Sequence, residues 1–140
     1  QWELQKKAWH FLIAYNYAAI EFDNYQLEEK NLSGNKLPGI PQQQLFILSS
    51  YNFSNGWGVM SQNQYCGSIY LDDSNQNRVS PYFLSNLKVW KSFNDLEFFA
   101  GISNLFDRKY NDNIRINAWG KRYYEPAPMR NFYFGMNYTL

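Results

Sequence analysis

The side chains in this sequence that could do chemistry gather near its end. Between residues 109 and 129 lie Arg115, Trp119, Lys121, Arg122, Tyr123 and Tyr124. Guanidinium groups pair with carboxylates and other oxyanions. Rings stack on flat ligands and attract cations. The mixture suits non-covalent capture of an anionic, often aromatic, complex. The plainer reading is an aromatic, basic rim that touches lipopolysaccharide or neighbouring loops.

Elsewhere reactive groups are sparse. His10 is the only His and Cys66 the only Cys. A metal site needs several ligands, so His10 reads as an interfacial residue and no cofactor is expected. A single Cys allows no internal disulfide, and a lone thiol in a strand is expected to be inert. No Ser/His/Asp arrangement is present that could form a triad, so the chain does not read as an enzyme. "DDSNQNR", residues 72–78, sets Asp73, Asn75 and Asn77 at alternate positions like a calcium loop. The Gly such a loop needs is Arg78 and its bidentate Glu is Leu84, so a polar surface loop is the better reading. A formal net charge of +1 gives no electrostatic case for nucleic acid.

These residues must be positioned by something, and the composition says what. Aromatic residues make up 20% of the chain, yet the mean hydropathy is −0.58. A chain rich in large rings but hydrophilic on average must alternate finely, and alternation is the period of a strand. "RNFYFGMNYTL" at residues 130–140 puts Phe132, Phe134, Met136, Tyr138 and Leu140 on one parity. Asn131, Tyr133, Gly135, Asn137 and Thr139 take the other. "DLEFFAGIS" (Leu96, Phe98, Ala100, Ile102) and "FLIAYNY" (Phe11, Ile13, Tyr15, Tyr17) do the same. Residues 42–53, 57–71 and 79–92 are rich in β-formers, although "SQNQ" at 61–64 interrupts any apolar face.

The connections sort into two kinds. "QKKA" after a stub at residues 2–4, "SNG" at 54–56 and "SFND" at 92–95 are short. Residues 23–41 and 109–129 are long, and 72–78 are intermediate. Short turns at one end of the strands and long loops at the other are the mark of an outer-membrane β-barrel. In that setting rings belong on the lipid face and in two interfacial girdles, with Gly, Asn, Ser and Thr inside. The expected fold is all-β: an antiparallel up-and-down meander of about six strands, a segment of a transmembrane barrel wall. Six strands and a stub are too few to close a barrel. The chain begins at Gln1 without a signal peptide, and residues 1–140 are read as a piece cut from a longer protein. The final strand, following a long loop, is expected to run from outside to the periplasm.

"NLFDRKY" at residues 104–110, followed by "GKRYYEPAPMRNFYFGMNYTL", resembles the end of TonB-dependent outer-membrane receptors. "GNKLPGIPQ" at 34–42 and "YLDDSNQNRVSPYFLSNL" at 70–87 resemble a loop-to-strand return and the next hairpin of that family, and "WELQ" at 2–5 a descending strand. Two positions depart from its pattern, with Leu140 in place of a terminal Phe and Met129 in place of a Gly. The resemblance implies active uptake of scarce metal complexes, most often ferric siderophores. It also implies a bacterial outer-membrane location and a plug domain, outside this chain, that contacts TonB. The implied partners are outer-membrane lipid, an iron–siderophore complex, TonB through that plug, and the barrel assembly machinery through the last strand. A passive porin-like barrel and a soluble carbohydrate-binding β-sandwich are the alternatives. Within "NLFDRKY", Leu105 and Phe106 are expected where a strand leaves lipid. Asn104 and Asp107 are expected to tie the strand end to loop backbone, as short polar side chains do in turns.

Overall fold

The computed structural model describes residues 1–121 and 123–139. Seven strands form one sheet: β1 (Trp2–Lys6), β2 (Trp9–Tyr17), β3 (Gln43–Asn52), β4 (Trp57–Cys66), β5 (Tyr82–Phe93), β6 (Leu96–Ser103) and β7 (Asn131–Tyr138). They lie side by side in chain order, every neighbouring pair antiparallel. There is no second large sheet among the described residues, which removes the β-sandwich alternative.

The strand count is one higher than the alternation suggested. The stub is a full strand, because Trp2 pairs with Ile13 and Lys6 with Trp9. β2 also starts earlier than "FLIAYNY", at Trp9. Two other boundaries move for identifiable reasons. The strand expected over 57–71 stops at Cys66. There Gly67 donates its N–H to the Gln43 carbonyl at 2.8 Å, and the chain leaves the sheet. Ile69–Tyr70 then pairs with Arg78–Val79 in a small separate ladder. Pro81, with no N–H to give a ladder, stands just ahead of β5, which runs from Tyr82 to Phe93 rather than over 79–92. The connection between β4 and β5 is therefore residues 67–81, a long one, and the sorting of loops is cleaner than the sequence suggested.

At one end the turns are minimal. Lys7 and Asn94 adopt left-handed φ values of 52° and 47° to reverse the chain between β1 and β2 and between β5 and β6. Gly56, with φ 81°, does so between β3 and β4. At the other end, residues 18–42, 67–81 and 104–130 connect the strands. Short turns mark the periplasmic side and long loops the outer side.

Register assigns the two faces. Phe134 faces Ala100, Ala100 faces Val89, and Val89 faces Val59. Continuing across the sheet, this parity is predominantly apolar and is the one turned to lipid. Near the periplasmic turns it ends in a girdle. Trp9 and Tyr51 have ring centroids 4.6 Å apart, and Tyr51 and Phe53 4.7 Å. The Lys91 ammonium reaches down past the Trp57 and Phe93 rings to the Asn55 carbonyl, as a snorkelling Lys does. The "SQNQ" stretch divides between the faces. Ser61 and Asn63 lie on the lipid parity, facing Ser49 and Ser85 respectively, and Asn63 donates to the Ser61 hydroxyl at 2.9 Å.

The inner face corrects one expectation. It holds rings as well as small and polar residues: Trp90, Phe99 and Tyr133 lie over glycines. A Cβ at Gly58 would meet Trp90 Cε2 at 2.0 Å, one at Gly101 would meet Tyr133 Cζ at 2.3 Å, and one at Gly135 would meet Phe99 Cζ at 2.4 Å. Glycine in a strand is weak alone, but here each absent side chain is the seat of a neighbour's ring. Lys88 lies 4.5 Å from the Phe99 ring centroid on the same face.

The apolar residues most removed from solvent are Leu32, Ile69, Leu71, Val79 and Ala127, with Cys66. Apart from Cys66, all are in the outer connections. The packed core of this chain thus lies in its loop layer, while the strands form a sheet with two open faces.

Candidate functional site

The loop layer is built from the strand ends outward. Asn104 and Asp107 both take φ 53°, a left-handed value that Asn and Asp tolerate better than most residues. The Asn104 side chain accepts from the Arg108 N–H and donates to the Arg108 carbonyl, both at 2.8 Å. Its own N–H donates to Asn86 Oδ1 at 2.9 Å, and only 5% of the residue is exposed. The Asp107 carboxylate accepts from the Arg130 N–H at 2.9 Å, joining the start of the long loop to its end. "NLFD" is therefore a knot that closes the third outer loop at its base, the turn role expected for Asn104 and Asp107. Phe106 stands outside it, 66% exposed, with its ring 6.4 Å from that of Phe83.

Above the knot the third loop climbs as a narrow ladder. Asn111–Asp112 pairs with Glu125–Pro126, and the Arg115 N–H donates to the Tyr123 carbonyl at 2.7 Å. At the tip, a short helical turn (Trp119–Lys121) contains Gly120 at φ 73°. Arg115, Ile116, Ala118, Trp119 and Gly120 line an open depression of about 570 Å³. Trp119 is 97% exposed. Arg115 reaches Glu125 Oε1 at 3.4 Å, and both side chains remain mostly exposed. An exposed pair of this kind contributes at most about 1 kcal/mol, so it leaves the guanidinium available to another oxyanion.

The residues singled out in the sequence do not all converge. Arg115 and Trp119 share the depression. Tyr123 turns its hydroxyl toward Asn77 at 3.5 Å, into the second loop, and Tyr124 is half-exposed. Arg122, the Lys121 side chain and Leu140 lie outside the described residues. His10 is far from the loops in sequence, near a periplasmic turn, and sits 2.8 Å from Glu3 Oε1.

The sequence reading missed the hub that fixes the tip. Asp72, 9% exposed, accepts from the Gln76 N–H (3.1 Å), the Asn77 N–H (2.9 Å) and the Asn77 side chain (2.7 Å), as well as from the Ser74 hydroxyl. Burial alone would raise its pKa. The bonds from Ser74, Asn77 and the two backbone N–H groups outweigh that and hold the carboxyl below its usual range. The Asp72 carboxylate is thus committed to shaping its own turn, next to the Asp73, Asn75 and Asn77 that suggested a calcium loop. Asn75 pairs with the Lys36 backbone of the first loop through both side-chain atoms, at 2.7 and 2.8 Å. Asn117 of the third loop donates its N–H to the Leu71 carbonyl (2.8 Å) and accepts from the Asp73 N–H (3.1 Å). Ile116 fills the space beside Gly39, whose own N–H bonds the Tyr70 carbonyl at 2.8 Å. The second loop therefore joins the first and third into one layer beneath the Arg115–Trp119 depression. The density of Asx residues in "DDSNQNR" was the visible signal, but their partners are remote in sequence.

Chemically, the layer offers a firm floor, an exposed ring and a guanidinium: the means to hold a flat or anionic solute without covalent chemistry. Comparison with known proteins agrees with the architecture. Residues 1–105 match the family described as "TonB dependent receptor-like, beta-barrel". The siderophore receptor PiuA from Acinetobacter baumannii superposes with a TM-score of 0.80 at 20% identity, over 95% of this chain and 20% of that one. BauA, the ferric preacinetobactin receptor of the same organism, gives 0.78 at 13% identity, over 95% and 20% of the two chains. The ferripyoverdine receptor of the outer membrane of Pseudomonas aeruginosa gives 0.72 at 20% identity, over 95% and 18%. At these identities the likeness is one of fold, and the chain spans about a fifth of each receptor's length. With the single meander, the sorted loops and the girdled apolar face, the match over residues 1–105 shows that this chain belongs to the TonB-dependent receptor-like β-barrel family.

Proposed function

We propose that residues 1–140 form the C-terminal barrel wall of a receptor that actively imports a scarce metal complex, most specifically a ferric siderophore. In this reading, uptake is energised through TonB acting on a plug outside this chain. The observation that carries it is the family match over residues 1–105. Proteins of this fold described as receptors for a siderophore or a ferric complex suggest the substrate class. The outer layer supports the reading, because Arg115 and Trp119 at its tip suit an anionic complex with flat rings. Lys121, Arg122, Tyr123 and Tyr124 complete the proposed capture surface at the level of sequence.

The test is uptake of iron-55 complexes by iron-starved cells carrying the intact receptor. Accumulation that depends on this receptor, and is abolished when TonB is removed, supports active import. Uptake that persists without TonB would indicate a passive barrel and refute the proposal. Capture by the loop is tested separately, by binding to Arg115→Ala combined with Trp119→Ala at matched surface abundance. Loss of one charge-assisted contact, about 1.5–3 kcal/mol, predicts affinity weakened about tenfold or more. Affinity within a factor of two of wild type would make the tip a structural rim.

A further inference from the structure

Where the lipid-facing parity meets the outer loops, the wall carries a cleft of about 390 Å³ lined by Tyr65, Pro81, Tyr82, Phe83, Phe106 and Arg108. Its floor is on the lipid side. Tyr65 and Phe83 are register partners on the apolar parity, and Phe106 folds back from the Asn104 knot to lie beside Phe83. Both Phe rings are substantially exposed, 44% for Phe83 and 66% for Phe106. Arg108 stands at the polar end. Its backbone is clamped on both sides by the Asn104 side chain, so the position of the guanidinium stem is set by the knot. Among the described residues no carboxylate pairs with Arg108.

Exposed rings at the edge of the apolar band with an unpaired guanidinium directly beyond them match one kind of molecule. A soluble anion needs the charge but not the rings. A neutral acyl chain needs the rings but not the charge. Guanidinium presents a fork that fits phosphate oxygens in a two-pronged manner. We propose that this cleft binds an outer-leaflet lipid with a phosphorylated headgroup, the phosphate on Arg108 and the first acyl chain on the Phe83–Phe106 pair. The site rests on the barrel wall alone and is independent of what the receptor imports. By tying a lipid to the knot at the base of the third loop, it would couple that loop's base to the surrounding leaflet.

The intact receptor, stripped of native lipid and placed in phosphatidylcholine nanodiscs, is titrated with diphosphoryl lipid A and with lipid A freed of its phosphates. Native mass spectrometry counts the lipid that remains bound. The expected result is phosphate-dependent retention, weakened about tenfold in Arg108→Gln by loss of a charge-assisted contact. Arg108→Lys should recover part of it, and Lys91→Gln at the opposite girdle should change nothing. Equal retention of the two lipids, or Arg108→Gln within a factor of two of wild type, overturns the proposal. So does displacement of the lipid by inorganic phosphate at equal concentration, which would mark a free-anion site. If Arg108→Gln fails to assemble, Phe106→Ala decides, since it touches neither the charge nor the knot's hydrogen bonds. Reduced retention that still depends on phosphate supports the site, and unchanged retention refutes it.

Discussion

Replacing Phe134 by Arg tests the face assignment at its most exposed point. β7 has eight residues and Phe134 is the fourth of them. At about 3.4 Å per residue, it lies roughly 10 Å along the strand from the outer end and roughly 14 Å from the inner one. A tilt near 45° shortens both distances, which leaves the residue close to the bilayer midplane. It is 90% exposed on the lipid parity, opposite Ala100 and between Phe132 and Met136 of its own strand face. An Arg there should cost about 2–4 kcal/mol, or about 30- to 700-fold in the folding equilibrium. Tyr138, on the same parity at the periplasmic end of β7, should accept Arg for about 0–1 kcal/mol. The assay is urea unfolding of the intact receptor in lipid vesicles, read by the loss of its heat-modifiable band. Equal stability of Phe134→Arg and wild type, or equal cost at 134 and 138, would show that this parity does not face lipid.

Gly58→Ala should displace Trp90, whose ring atoms stand 2.0–2.5 Å from the new Cβ. The overpacking cost is about 1–3 kcal/mol, visible as lower stability and altered Trp emission, and pairing it with Trp90→Leu should recover most of the loss. Asn104→Ala loses the side-chain bonds of the knot and places a less tolerant residue at φ 53°. Hydrogen exchange at residues 104–108 should rise, with a cost of about 2–4 kcal/mol from bond loss and left-handed strain. Asn104→Gly should relieve the strain but not restore the bonds. The bonds that Asp72 accepts hold its folded pKa below the ordinary Asp value. Its contribution is therefore complete above that value and is lost as pH falls through the lower folded one. Exchange protection of residues 67–81 should drop below about pH 4 in wild type, and Asp72→Asn should lack this acid transition.

The sequence by itself determined the strands, the sorting of loops and the apolar parity, because each is a local property. Period-two alternation in "RNFYFGMNYTL" specifies which side chains share a face whatever the strand pairs with. The Asn-Gly at 55–56 and the Asx pair in "NLFD" state turn chemistry within a few residues. What only the tertiary structure decided is who meets whom across the sheet and between loops. That Gly58, Gly101 and Gly135 are seats for Trp90, Tyr133 and Phe99 depends on register. Nothing within a strand records its register, since shifting the pairing by two residues preserves every face. That Asn75 clasps Lys36, and that Asn117 reaches Leu71 and Asp73, depends on three loops folding over the same end of the sheet. The candidate site was legible as a list of capable residues. Its membership was not, because an exposed Arg or Tyr in a loop has no periodicity to aim it. Arg115 and Trp119 share a depression while Tyr123 turns away to Asn77, a partner 46 residues away in sequence.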